Sequence, residues 1–235
     1  MPVFLSKVSP TLAVLWLTLT CATALAAAGD YPLTIQALQD RYADEVQAHQ
    51  KYGAYARHAL DEGYPNIAHL FRALATSEAM HARNFATLLE ALGQTPQAAK
   101  IDYPITTTRE HLQQATEIEA EEIDTQYPAI LERIRAEGHQ AAIESITWAW
   151  EAEKQHRELI IKIRDATSFF FGLLVNRIEG DPSHYHVCQV CGSTLDEPPT
   201  GQCPICGHPP DRYHEVPWEP GASREEEPSS IFGED

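Results

Sequence analysis

Apolar residues recur at helical spacing through most of the first 168 positions, and polar residues punctuate them in a regular way. Leu38, Tyr42, Glu45, His49, Tyr52 and Ala56 fall on one stripe, which predicts a helix from about Thr34 to Leu60. Glu45 sits on that apolar stripe, and a carboxylate there needs a partner. Glu62-Gly63-Tyr64-Pro65 ends this helix and starts the next, with glycine just past the end and proline in the following first turn. The second helix, about Asn66–Ala91, carries Glu78 and His81 beside Phe71, Leu74, Phe85 and Leu88. Gly93–Thr107 has no helical period and is long enough for a crossover connection. Thr107-x-x-Glu110 is a capping box for a third helix bearing Glu119, Glu121, Glu122 and Tyr127-Pro128. Gly138 closes it, and a fourth helix runs from about His139 to Ala166.

The halves of this region repeat. Glu78-x-x-His81 has a twin 75 residues on in Glu153-x-x-His156, and Tyr52/Tyr127 and Glu62-Gly63/Glu137-Gly138 keep the same offset. Residues three apart on a helix project from one face, so each Glu-x-x-His presents a carboxylate and an imidazole together. With Glu45 and Glu119 (and Glu122 one turn further), four helices offer a Glu from each of two and Glu-x-x-His from each of the others. That is the ligand set of ferritin-like di-iron and di-manganese bundles. His49, one turn after Glu45, is either a further ligand or a hydrogen-bonding residue behind the ligands. Trp150, one turn before Glu153, either walls the site or belongs to the core.

The repeat slips once: Glu45 and Glu119 are 74 apart, not 75. The third helix therefore holds one extra residue between its carboxylate and Tyr127. An inserted residue in a continuous helix is commonly absorbed as a π-bulge, which predicts one between Glu119 and Tyr127. The 75-residue offset sets Glu122 opposite Gln47, so the site is expected to be asymmetric, with Glu122 free to bind one metal and leave it.

Beyond Gly180 the composition turns to Pro, Gly, His and Cys. Cys188-x-x-Cys191 and Cys203-x-x-Cys206 predict four thiolates around one iron or zinc, against the alternative of two disulfides. Gly192 and Gly207 follow the pairs and allow tight turns whose amides can point at sulfur. Residues 1–28 have one charge, Lys7, an apolar run Leu12–Leu19 and then small residues. They read as a signal peptide, with an uncleaved membrane anchor as the alternative, and predict a mature protein working in the periplasm or outside the cell. The organisation predicted is a signal peptide at 1–28, a bundle at 29–167, a linker at 168–182 whose Phe169–Ile178 is apolar, a small metal domain at 183–218 and a disordered acidic tail at 219–235. The formal net charge of −17 argues against nucleic acid or an anionic membrane surface as partner.

With EVQAHQKYGAYA, DEGYPNIAHLF, SEAMHA, EAEEIDTQYP, AEKQH and YHVCQVCG…GQCPICGHPPDRYHEV, the sequence resembles the rubrerythrins over about Leu33–Trp218. Ile118 departs from the glycine common before the third helix's glutamate, and His49 from a common arginine. The resemblance implies a mainly α fold, a ferritin-like four-helix bundle followed by a rubredoxin-like domain. It implies two irons held by Glu45, Glu78, His81, Glu119, Glu122, Glu153 and His156, and one iron (or zinc) held by Cys188, Cys191, Cys203 and Cys206. The implied activity is reduction of hydrogen peroxide to water, with Tyr52 and Tyr127 as hydrogen-bond donors and Glu122 exchanging with His81 at one iron. Electrons would come from a separate redox protein through the cysteine centre. Subunits would pair in a homodimer or larger assembly, one chain's cysteine centre approaching another's di-iron site. A ferroxidase using the same bundle, and a non-catalytic module with structural zinc, are the competing readings.

Overall fold

The computed structural model describes residues 30–98, 104–168 and 183–219. The expected signal peptide, most of the linker and nearly all of the tail lie outside these residues. Among the described residues no helix is long and apolar enough to cross a membrane.

The bundle is made of two helical hairpins. Helices α1 (Pro32–Asp61) and α2 (Pro65–Ala91) form the first. The second pairs a composite helix with α5 (Gln140–Ser168). The composite helix is α3 (Thr108–Glu121), a π turn at Glu122–Gln126, and α4 (Tyr127–Ile134). The expected π-bulge is therefore present, five residues long, between Glu119 and Tyr127. Two local features accommodate it. Pro128 has no N–H to give residue 124, which loosens the α ladder there. The Trp150 indole N–H donates to the Ile123 carbonyl inside the turn, at 2.9 Å. Trp150 thus supports the π turn.

The helix ends show why the Glu-Gly pair is repeated. Gly63 and Gly138 take φ of +83° and +69°, the left-handed conformation that closes a helix. The glutamate before each glycine reaches across to the other hairpin. Glu62 accepts from the Thr108 amide at the start of α3 (2.8 Å), and Glu137 accepts from the Leu33 and Thr34 amides at the start of α1 (both 2.8 Å). A carboxylate on the free amides of a helix N-terminus is stabilising. At α3 it adds to the expected Thr107/Glu110 capping box. At α1, where Tyr31 makes no side-chain cap, it supplies the cap.

Two apolar clusters fill the bundle. One contains Tyr52, Tyr55, Phe71, Leu74, Leu112 and Ile160; the other contains Leu38, Phe85, Leu89, Tyr127, Ile134 and Ile146. Each fully buried large side chain contributes roughly 1.5–3 kcal/mol. Glu45, Glu119, Glu153 and His156 fall between the two clusters along their helices, and Glu78 and His81 at the end of the first, so apolar packing holds a polar layer in the middle.

The small domain has a three-stranded antiparallel sheet in the order β2-β1-β3, from β1 (His186–Cys188), β2 (Thr194–Leu195) and β3 (Tyr213–Glu215). Its Tyr185, Val187 and Val216 join the first bundle cluster, so the two parts share a core. His69 of α2 ties them further, donating from Nε2 to the Val216 carbonyl (2.9 Å) and accepting at Nδ1 from the Ser183 hydroxyl (3.3 Å).

Candidate metal centres

The four helices bring Glu45, Glu78, His81, Glu119, Glu153 and His156 into one buried layer, none more than 3% exposed. Their ligand atoms fall into two sets, each within 4.8 Å: Glu45, Glu78, His81 and Glu153; and Glu78, Glu119, Glu153 and His156. Glu78 and Glu153 belong to both. Two metal ions would each receive one imidazole and one private carboxylate, with two carboxylates shared between them.

The donor set itself calls for cations. His156 Nε2 faces the Thr194 hydroxyl (3.4 Å), while its Nδ1 faces Glu153 (2.8 Å), Glu78 (3.5 Å) and Glu119 (3.9 Å). With Nε2 carrying the proton, Nδ1 and those oxygens are all acceptors, and acceptors converge only around a cation or shared protons. His81 Nδ1 is placed likewise, 3.0 Å from Glu78, 3.2 Å from Glu153 and 3.7 Å from Glu45. Glu119 Oε2 is buried without a hydrogen-bond partner. The metal-free electrostatics show the same need. Burial pushes Glu45 up to about 7 and Glu119 well above the carboxylate range. His156 rises to about 9: burial lowers it, but Glu153 and Glu78 outweigh burial. Burial raises Glu78 and Glu153 too, but the histidines outweigh burial and hold both below the ordinary carboxylate range, so the layer keeps negative charge for a cation to offset. The residues fit two divalent cations.

The tyrosines close the layer crosswise. Tyr52 of the first hairpin donates to Glu119 of the second (2.7 Å), and Tyr127 of the second donates to Glu45 of the first (2.8 Å). Both rings are buried. Each hydroxyl orients the carboxylate private to one metal position. His49 joins neither ligand set; its Nδ1 donates to the Ala75 carbonyl of α2 at 2.7 Å.

Glu122, at the head of the π turn, joins neither ligand set. Its carboxylate lies 3.6 Å from Arg41 Nη1, with the side chain 18% exposed. It is neither a solvated surface glutamate nor, in this arrangement, a ligand. Arg41 was not singled out in the sequence. The available signal was its position one turn before Glu45 on the same face.

In the small domain Cys191 and Cys203 sulfurs lie 3.5 Å apart, and Cys188 and Cys206 3.8 Å. A tetrahedral site with metal–sulfur bonds of about 2.3 Å requires edges of about 3.8 Å, whereas a disulfide is about 2.05 Å. All four cysteines are free. The Tyr213 hydroxyl donates to Cys203 Sγ at 3.2 Å. Gly192 and Gly207 have positive φ, +81° and +70°, as the knuckles require. Their amides donate to the carbonyls of Cys188 and Cys203 (both 2.9 Å), closing the turns through backbone oxygen.

The two centres meet at the first knuckle. Ser77 of α2 donates to the Gly192 carbonyl (2.6 Å), as does Thr194 (2.9 Å). A Cβ on Gly192 would stand 2.4 Å from His81 Nε2. On the other side Gln155 accepts from the Ser193 hydroxyl (2.9 Å) and the Thr194 amide (3.0 Å). The outer nitrogens of both site histidines therefore touch the turn that follows Cys191, within one chain.

A ferritin-like bundle with a two-metal carboxylate–histidine layer, joined to a four-cysteine knuckle domain, defines a narrow class of non-haem iron protein. The Rubrerythrin family model matches residues 36–163, and the chain belongs to the rubrerythrin family. It is 32% identical over 182 residues to rubrerythrin-2 of Clostridium acetobutylicum, covering 77% of this chain and 95% of that one. To nigerythrin of Nitratidesulfovibrio vulgaris it is 28% identical, covering 77% and 85%. A solved structure titled as the fully reduced, all-ferrous state of nigerythrin superposes with a TM-score of 0.68 at 25% identity, covering 90% of this chain and 100% of that one. The protein is thus a di-iron protein of the rubrerythrin type with a rubredoxin-like four-cysteine centre, a redox enzyme in kind.

Proposed function

We propose that this protein reduces hydrogen peroxide to water at the bundle site, with electrons entering through Cys188, Cys191, Cys203 and Cys206. The observation that carries the proposal is the Gly192 turn, which links a thiolate centre to both site histidines. A module with structural zinc has no need of such a contact. The net reaction consumes one peroxide, two electrons and two protons, and yields two waters.

When bound, two ferrous ions supply the two electrons for cleavage of the O–O bond. Glu45, Glu78, His81, Glu119, Glu153 and His156 would hold them, and the shared carboxylates would keep them adjacent. Tyr52 and Tyr127 fix the private carboxylates and keep hydroxyl protons at the edge of the site. The apolar clusters on either side exclude bulk water, so these hydrogen bonds act in a low-dielectric layer. Glu122 and His81 would exchange at one iron as its oxidation state changes, opening a place for peroxide. A thiolate-bound iron has no open position for substrate and suits one-electron delivery.

We place the mature protein outside the cytoplasm, most simply the periplasm, with a separate redox protein as donor and a homodimer or larger assembly as working unit. The test is turnover by iron-loaded protein with a chemical reductant. Peroxide consumed well above the oxygen rate supports the reading; slow peroxide consumption with iron mineral accumulating would replace it with ferroxidase chemistry.

A further inference from the structure

Arg41 is a buried cation that the reaction above does not use. Its side chain is 4% exposed, and its guanidinium lies over the Tyr127 ring, 5.3 Å from the centroid. Nη2 donates to Asp44 and to Gln126 Oε1 (2.8 Å). Nη1 faces Glu122 at 3.6 Å, and neither Nη1 nor Nε has a hydrogen-bond partner. Burying a guanidinium with unpaired donors is costly, and the apolar stripe of α1 would accept a hydrophobic residue at no such cost. Its contacts are also specific: Glu122 and Gln126 are the first and last residues of the π turn. One side chain from α1 therefore clasps both ends of the segment that sets the site's asymmetry.

We propose that Arg41 is the positioning residue for Glu122, the seat that this carboxylate occupies whenever it is off the metal. The inference rests on the two-iron reading. A buried carboxylate that leaves a cation must find another or take up a proton. Arg41 offers the second cation a few ångströms away and already desolvated. Nη1, unpaired and facing Glu122, is the donor left open for it. Charge supports the pairing. Two divalent ions offset four of the carboxylates Glu45, Glu78, Glu119, Glu122 and Glu153, and Arg41, held on its other side by Asp44, is the cation that faces the fifth. The strength of this ion pair then sets how readily Glu122 reaches the iron, and hence the reduction potential of the bundle pair.

The test uses the iron-loaded full chain as wild type, R41Q and R41K. Iron content, crystal structures of the reduced protein and the reduction potentials of both centres are the readouts. In the reduced wild type, Glu122 is expected beside Arg41. In reduced R41Q it should lie on the metal, with the bundle potential lowered and the potential of the four-cysteine centre unchanged. R41K keeps a charge but cannot span both Gln126 and Glu122, so it should show a smaller shift in the same direction. Glu122 unmoved and the bundle potential unchanged in R41Q, or in R41K if R41Q does not fold, overturns the proposal while leaving the di-iron reading intact. Fewer than two irons in the wild-type bundle overturns that reading and the proposal together.

Discussion

Substituting Gly192 by alanine separates the two things that this glycine does. A residue with a side chain at φ +81° costs roughly 1–2 kcal/mol for the left-handed conformation. The added methyl would also stand 2.4 Å from His81 Nε2 and 2.7 Å from Ser77 Oγ, so the turn must withdraw from α2. Overpacking of this kind costs about 1–3 kcal/mol, and loss of the Ser77–Gly192 hydrogen bond about 1 more. Gly207→Ala is the control. Its φ is +70°, but nothing lies within 4 Å of the added methyl, so only the backbone cost applies. Hydrogen exchange of the Thr194 amide reads the contact directly, because that amide donates to Gln155 across it. Protection should fall by at least about thirtyfold in Gly192→Ala, the equivalent of roughly 2 kcal/mol, and be retained in Gly207→Ala. Equal losses in the two variants would refute the claim that the knuckle is seated on the site histidine.

The metal-free protein should be sensitive to pH where the loaded protein is not. Glu45 is pushed from 4.5 up to about 7 chiefly by burial, so its protonated form stabilises the fold below about pH 4.5 and that stability is lost as pH rises through 7. Denaturant titrations at pH 5 and 8 should show metal-free stability falling, by on the order of 3 kcal/mol from this group; a flat profile would contradict the desolvated site. Glu137→Ala removes the cap on the Leu33 and Thr34 amides and should cost about 1 kcal/mol, and Glu62→Ala should cost about as much at α3; thermal unfolding checks both.

Much of the site could be read from sequence because its ligands come in pairs fixed by helical geometry. Glu78/His81 and Glu153/His156 are three apart on one face, and their 75-residue offset exposes the second hairpin as a copy of the first. The π turn was legible for a related reason: a one-residue slip in a repeat has few ways to be absorbed inside a helix, and here Pro128 and the Trp150–Ile123 bond show how. What could not be read was contact between elements. Glu62 and Glu137 looked like helix-ending residues, yet each caps the opposite hairpin, a relation visible only once the hairpins are packed. Arg41 has no twin in the second half, so repetition gave no signal. The seating of Gly192 on His81 joins residues more than a hundred positions apart in two different domains, and neither propensity nor spacing encodes it.

The most direct test of the account is a single-turnover experiment on iron-loaded, fully reduced protein mixed with one equivalent of hydrogen peroxide and, separately, with oxygen. The visible bands of the thiolate-bound iron report when that centre gives up its electron. The account predicts reoxidation of the bundle pair by peroxide faster than by oxygen, and, with excess peroxide, return of the ferric thiolate bands as the thiolate-bound iron empties into the bundle. A colourless protein holding zinc at the cysteines, or a thiolate-bound iron that stays reduced while the bundle turns over, would contradict it.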